Sequence, residues 1–155
     1  MDSSEGVSKL RNDPRFPNLP DKTVVLDNTL EAFRDGDWYG ARMRTYITAP
    51  KSGNYTFWIR GDDVTELWLS TSTDPEGLSL IGYHNSWTSS FDSFSTQQSE
   101  LIALTAGESY YLEAYLMENR GGDGIAVGWD CPEWGLAREV IPASYTRLPE
   151  STGSP

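Results

Sequence analysis

Cysteine and histidine are nearly absent: the 155 residues hold one of each, Cys131 and His84. A lone cysteine forms no internal disulfide and anchors no zinc site, so a disulfide scaffold and a structural zinc module are both excluded. Cys131 is expected as a small buried side chain. Positive charge is scarce as well, with 12 Lys+Arg against 23 Asp+Glu and a net charge of −11. Phosphate backbones and anionic lipid surfaces are gripped by a surplus of Lys and Arg, which excludes nucleic acid as partner and argues against membrane docking. An acidic surplus suits a hard cation such as Ca2+, although solubility alone also accounts for it. No apolar run approaches the roughly 18 residues that a membrane span needs. The N-terminal Met1-Asp2-Ser3-Ser4-Glu5 lacks the basic and then apolar stretches of a secretory signal. No G-x-S-x-G nucleophile motif accompanies His84, so it is expected as a surface residue rather than half of a catalytic dyad. No internal repeat is present.

What the chain does contain is short strand-like runs punctuated by turns. Residues 42–48 (Arg-Met-Arg-Thr-Tyr-Ile-Thr) stop at Ala49-Pro50-Lys51-Ser52-Gly53. Residues 54–60 are dense in aromatic and β-branched side chains, which fit a pleated surface. Further strands are expected over 66–70, 79–83, 100–104, 110–117 and 125–129, the last two forming a hairpin-like pair around a Gly-rich tip. The Ser- and Thr-rich stretch 84–98 reads as an ordered loop. Helices should be short, for example in 29–33 or near 134–138. Strands at this spacing without sustained 3.6-residue periodicity point to an all-β antiparallel sandwich or barrel. The prolines at 14, 17 and 20 make residues 1–19 an extended lead-in, with the domain over 20–148 and a linker-like tail at 149–155.

Two stretches carry the candidate chemistry. In Gly61-Asp62-Asp63 the adjacent carboxylates of an extended strand would point to opposite faces. They converge on one ion only if the backbone bends sharply, as at a cis peptide, which costs roughly 3 kcal/mol that a bound divalent cation would offset. A solvated turn is the plainer reading of such a pair. The second stretch is Glu118-Asn119-Arg120-Gly121-Gly122-Asp123-Gly124. Its glycines leave carbonyls exposed, and Asn119 and Asp123 add side-chain oxygens, the donor type from which Ca2+ takes about six to eight ligands. Gly-Gly and Asp-Gly are equally the chemistry of a turn tip.

Taken in order, these motifs resemble the PA14 domain family. The resemblance runs from Gly36-Asp37-Trp38-Tyr39-Gly40 through Asn54-Tyr55-Thr56-Phe57, Gly61-Asp62-Asp63 and Glu66-Leu67-Trp68-Leu69-Ser70. It continues through Gly121-Gly122-Asp123 and Val127-Gly128-Trp129 to Val140-Ile141-Pro142-Ala143-Ser144-Tyr145, spanning roughly residues 20–148. It implies a jelly-roll-like β-sandwich. In the lectin branch of the family, consecutive aspartates joined by a cis peptide hold Ca2+, and this sequence keeps both, as Asp62 and Asp63. The second-loop donors would then come from Asn119, Gly121 and Asp123.

The resemblance therefore implies a non-enzymatic, Ca2+-dependent lectin module of a secreted or cell-surface adhesin. Its partners would be mono- or oligosaccharides on a cell surface, and it would act as a monomeric module within a multidomain chain. Asp62, Asp63, Gly122 and Asp123 would face the sugar, with Arg120, Trp87, His84 and Gln98 as candidate side chains around the open face. For Trp87, packing that pins its loop competes with sugar stacking. The alternatives are an accessory module in which Ca2+ only stiffens the loops for a protein partner, and a carboxylate-pair hydrolase. The hydrolase is disfavoured because its carboxylates stand at least about 5 Å apart across a substrate.

Overall fold

Side-chain alternation decides which residues meet across the molecule. Along residues 109–118, Tyr110, Leu112, Ala114 and Leu116 enter the main core, while Tyr115 and Met117 join a smaller apolar cluster on the opposite face. A computed structural model describes residues 26, 28–32, 39–61, 64–86, 88, 90–118 and 124–148 of the chain. Its strands are β1 (Glu31–Ala32), β2 (Tyr39–Thr48), β3 (Gly53–Gly61), β4 (Val64–Leu69), β5 (Ser79–His84), β6 (Ile102–Leu104), β7 (Ser109–Glu118), β8 (Ile125–Cys131), β9 (Leu136–Val140) and β10 (Thr146–Arg147). One sheet runs β1-β8-β3-β6, with β9 also on β8; the other runs β10-β2-β7-β4-β5. The result is the all-β antiparallel sandwich expected from the strand spacing, with its core between the two sheets.

Aromatic packing anchors that core. Trp129 is fully buried, its ring centroid 5.2 Å from Tyr55, 6.2 Å from Phe57 and 5.7 Å from Tyr145, and its indole N–H donates to Glu139 Oε1 at 3.1 Å. Cys131 is buried as expected, and burial raises the pKa of its thiol. Gly53, paired with Leu104, comes close enough that an added Cβ would stand 2.7 Å from Cys131 Sγ.

The outer face of the second sheet carries a buried ionic cluster. The Glu113 carboxylate accepts two 3.0 Å bonds from the Arg42 guanidinium, one at 2.7 Å from the Tyr111 hydroxyl and one from the Tyr115 hydroxyl. Four donors for one 3 %-exposed carboxylate is a satisfied arrangement.

Three expectations are corrected. Residues 110–117 and 125–129 do not form a hairpin: β7 and β8 lie in different sheets. Glycine-rich turn chemistry marks a reversal but not the sheet joined next. Both edges of β7 are already occupied, by β2 along 39–48 and by β4 along 64–69, which leaves β8 to pair with β3. The expected helix at 29–33 is instead a bridge at Thr29 followed by β1, and of the one expected near 134–138, Trp134 ends a 3-10 turn while 136–138 lie in β9. The described helical turns are three-residue 3-10 segments at Pro75–Gly77, Ser95–Gln97, Pro132–Trp134 and Ala143–Tyr145. No helix among the described residues is long and apolar enough to cross a membrane.

Candidate functional site

The crossings between sheets gather several chain segments at one end of the sandwich. β3 ends at Gly61, which pairs with Ile125 at the start of β8. β4 begins at Val64, which pairs with Met117 near the end of β7. Ala32 of β1 also stands opposite Ile125, and Tyr39 of β2 opposite Glu118. The residues flanking 33–38, 62–63 and 119–123 therefore sit on a common rim. Gly61 and Gly124 approach so closely that a Cβ on Gly61 would stand 2.9 Å from the Gly124 carbonyl oxygen and 2.6 Å from Thr65 Cγ2. Thr65, just below, is fully buried, and its hydroxyl has no hydrogen-bond partner among the described residues.

Of the residues expected at the site, Asp62, Asp63, Trp87, Asn119, Arg120, Gly121, Gly122 and Asp123 lie outside the described residues. His84 and Gln98 are described. His84 is 1 % exposed, which corrects the surface expectation: its Nδ1 lies 2.8 Å from the Ser86 carbonyl oxygen and its ring stacks on Phe94 at 6.1 Å. A ring so enclosed is not presented on an open face. Gln98 is exposed, but its backbone bridges Trp58, three residues and about 10 Å along β3 from Gly61.

Sequence reading misses how stretch 84–98 is used. β6 pairs with β3 only at Gly53, Asn54 and Tyr55, which leaves that edge of β3 open beyond them. The Phe57 carbonyl accepts from Ser99 N–H at 2.8 Å, the Ile59 carbonyl from Gln97 Nε2 at 2.9 Å, and the Gly61 carbonyl from Thr88 N–H at 3.3 Å. Ser99 Oγ accepts from Phe57 N–H at 2.9 Å. Side chains and isolated amides thus stand in for an edge strand, protecting an edge that would otherwise invite pairing. The only signal was compositional, a Ser/Thr/Gln-rich run without period-2 alternation. Arg138 of β9 holds Asp92 through bonds of 2.6 and 2.7 Å, and this contact keeps the Asp92 carboxyl below its ordinary range.

No group of three or more His, Cys, Asp or Glu among the described residues is arranged to hold a metal. A polar cavity of about 450 Å³, lined by residues including Thr71, Thr73, Glu108 and Arg147, lies at the other end of the sandwich, away from the rim. The close approach at Gly61 makes Gly61→Ala a direct test of rim geometry. The substitution is expected to destabilise by about 1–3 kcal/mol through overpacking, read by urea denaturation, because the Gly124 carbonyl is backbone and cannot rotate aside.

A profile for the PA14 domain matches residues 4–140. N-acetyl-beta-glucosaminyl-glycoprotein 4-beta-N-acetylgalactosaminyltransferase 1 of Mus musculus is 28 % identical over 151 residues, covering 92 % of this chain and 14 % of the transferase. Fibrocystin-L of Homo sapiens is 37 % identical over 92 residues, covering 59 % of this chain and 2 % of that protein. The chain thus spans a small fraction of these relatives' length. Among solved structures, the Epithelial Adhesin 6 A domain from Candida glabrata, in complex with Galb1-3GlcNAc, aligns with a TM-score of 0.59 at 12 % identity, covering 92 % of this chain and 78 % of that one.

Proposed function

Because this chain belongs to the PA14 domain family, we propose that it is a non-catalytic carbohydrate-binding module of a larger secreted or cell-surface adhesin, and that it takes sugars at the rim around Gly61. The observation that carries this reading is the pairing of Gly61 with Ile125 and of Val64 with Met117. By that register the described residues that flank the candidate donor stretches 62–63 and 119–123 stand at neighbouring strand ends, which supports the reading. The structural likeness to an adhesin domain crystallised with a disaccharide speaks for the same use of the fold.

The donor set suits a hard cation. Asp62 and Asp63 would contribute carboxylates from the β3–β4 connection, and Asn119, Gly121 and Asp123 side-chain or backbone oxygens from the β7–β8 connection. None is a sulfur or imidazole ligand that would favour a softer metal. Thr65, whose methyl group packs against Gly61, carries a buried hydroxyl with no hydrogen-bond partner among the described residues. When bound, Ca2+ would accept two neighbouring sugar hydroxyl oxygens in place of water, which is the chemistry this reading requires. Gly122 would leave room for the sugar, and Arg120 and Trp87 would form the walls that tell one hydroxyl arrangement from another. Extracellular Ca2+ modules bind the ion at around 0.1–1 mM, and a single sugar on a shallow site binds weakly, so adhesion would depend on several copies or on multivalent glycans.

A glycan array probed in millimolar Ca2+ and again in EDTA tests this directly. Binding to a restricted set of glycans that EDTA removes is the expected result. A calorimetric Ca2+ signal without any glycan hit would favour the accessory-module alternative, and glycan binding indifferent to EDTA would sink the cation.

A further inference from the structure

We propose that the segment carrying Thr88, Phe91, Gln97 and Ser99 positions the rim, with Phe91 as its anchor, and thereby sets glycan selectivity without itself touching sugar. The proposal rests on the reading of that rim as a sugar site.

The anchor is built into the outer face of the first sheet. Opposite Trp58 and Arg60 on β3, the central strand β8 places Gly128 and Ala126, two residues too small to fill the face. Phe91 fills it: a Cβ on Gly128 would stand 3.0 Å from Phe91 Cζ. Two guanidinium groups flank the ring, with Arg60 at 4.9 Å and Arg138 at 5.5 Å from its centroid. Arg60 is fixed by Glu31 at 2.5 Å, while Arg138 also lies 5.1 Å over Trp58 and grips Asp92, the residue after Phe91. Cations on a ring face attract it, and the paired carboxylates hold each cation in place.

From the anchor the connection runs to the rim. Ser90, beside Phe91, offers its carbonyl to Gln97 Nε2 at 2.7 Å and to the Thr88 hydroxyl at 3.1 Å. Gln97 is fully buried; the same Nε2 donates to Ile59 of β3, and its Oε1 accepts from Phe94 N–H at 2.7 Å. The Thr88 hydroxyl lies 2.6 Å from Ser93 Oγ, and Thr88 N–H donates to the Gly61 carbonyl, the last described residue before Asp62. A displacement of Phe91 therefore reaches Gly61 through Ser90 and Thr88. Thr88 is also the next residue in sequence after Trp87. Such a brace selects among ligands by holding one arrangement of the walls, whereas a loosened segment would admit several.

Phe91→Ala and Gly128→Ala attack the anchor from its two sides, and Phe91→Tyr keeps the ring. In each protein, Thr88 amide hydrogen exchange, Ca2+ affinity by calorimetry and the ratio of array signals for the two strongest glycans would be measured. The first two variants should speed Thr88 exchange at least tenfold and change the glycan ratio at least fivefold, with Ca2+ affinity within twofold of the parent; Phe91→Tyr should restore both. Faster exchange with a glycan ratio within twofold of the parent would overturn the proposal, reducing the segment to an edge cover. Unchanged exchange in both variants would equally overturn it, because Phe91 would then not be the anchor. If Phe91→Ala fails to fold, Phe91→Leu decides the matter, since it removes the aromatic ring but keeps apolar volume on the face, whereas the Cβ of Gly128→Ala would also stand 3.0 Å from the Glu139 carbonyl oxygen. A parent protein without any glycan signal would overturn the sugar reading and this proposal together, and that outcome is visible before a variant is made.

Discussion

Replacing Asp62 and Asp63 together by asparagine is expected to remove Ca2+-dependent glycan binding, with a loss of about 100-fold or more in affinity for both ion and sugar, equivalent to about 2.7 kcal/mol each. Asparagine keeps the shape of each side chain and one carbonyl oxygen but deletes both negative charges, on which a hard cation depends. The sandwich should be untouched, because its stability resides in the core around Trp129, Tyr55 and Leu112, all at most 2 % exposed. Without ion, the variant should melt as the parent does or slightly higher, since two adjacent carboxylates repel each other and the substitution relieves that repulsion. With millimolar Ca2+ the parent should gain melting temperature and the variant should not, as expected when a ligand binds only the folded state. Calorimetry, the glycan array and melting curves with and without EDTA together read this out. Retention of EDTA-sensitive glycan binding by the double variant would remove Asp62 and Asp63 from the site.

The aspartate pair stands out in the sequence because its proposed chemistry is local: two adjacent carboxylates would need a bend and a counter-charge to act on one ion. Strands are legible for a similar reason. Residues 54–60 combine Tyr, Thr, Phe, Trp and Ile, and the observed β3 extends that run by one residue at each end. What depends on pairing partners is not legible. Residues 110–117 and 125–129 carry the pattern of a hairpin, and only the occupation of both β7 edges by β2 and β4 sends β8 to the other sheet. The same limit hides the rim, whose flanking residues are distant in sequence and are brought to one end by pairings such as Gly61 with Ile125 and Val64 with Met117. His84 looks like a surface residue until Phe94 of the long loop is seen stacked on it. Gln97 lies in a polar loop and gives no local sign that its amide would serve as a rung of β3.

Glu113 belongs to the same class of residue, and its replacement should be the most destabilising single change outside the apolar core. Glu113→Ala is expected to cost about 3–5 kcal/mol at neutral pH, the usual consequence of removing one partner of a buried ion pair. Burial by itself raises the pKa of this carboxyl, but the bonds from Arg42, Tyr115 and Tyr111, with the Arg42 charge, outweigh burial and hold it below the ordinary glutamate value. A carboxylate whose folded pKa lies below its unfolded one contributes stability that is complete above the unfolded value, about 4.3. That contribution is lost as pH falls through the folded pKa. Urea denaturation of parent and variant should accordingly show a large gap at pH 7 that narrows below about pH 4, as the parent's own carboxylate becomes protonated. A gap independent of pH would mean that the lost side-chain volume, not the charge, is what the variant misses. Glu113 lies five residues along β7 from Glu118, about 17 Å from the rim, so the folded fraction of Glu113→Ala should keep the parent's glycan profile and EDTA sensitivity. Stability and recognition would then be separable in this sandwich: the charge at the centre of one sheet would contribute to the fold, and the charges proposed at its end to the ligand.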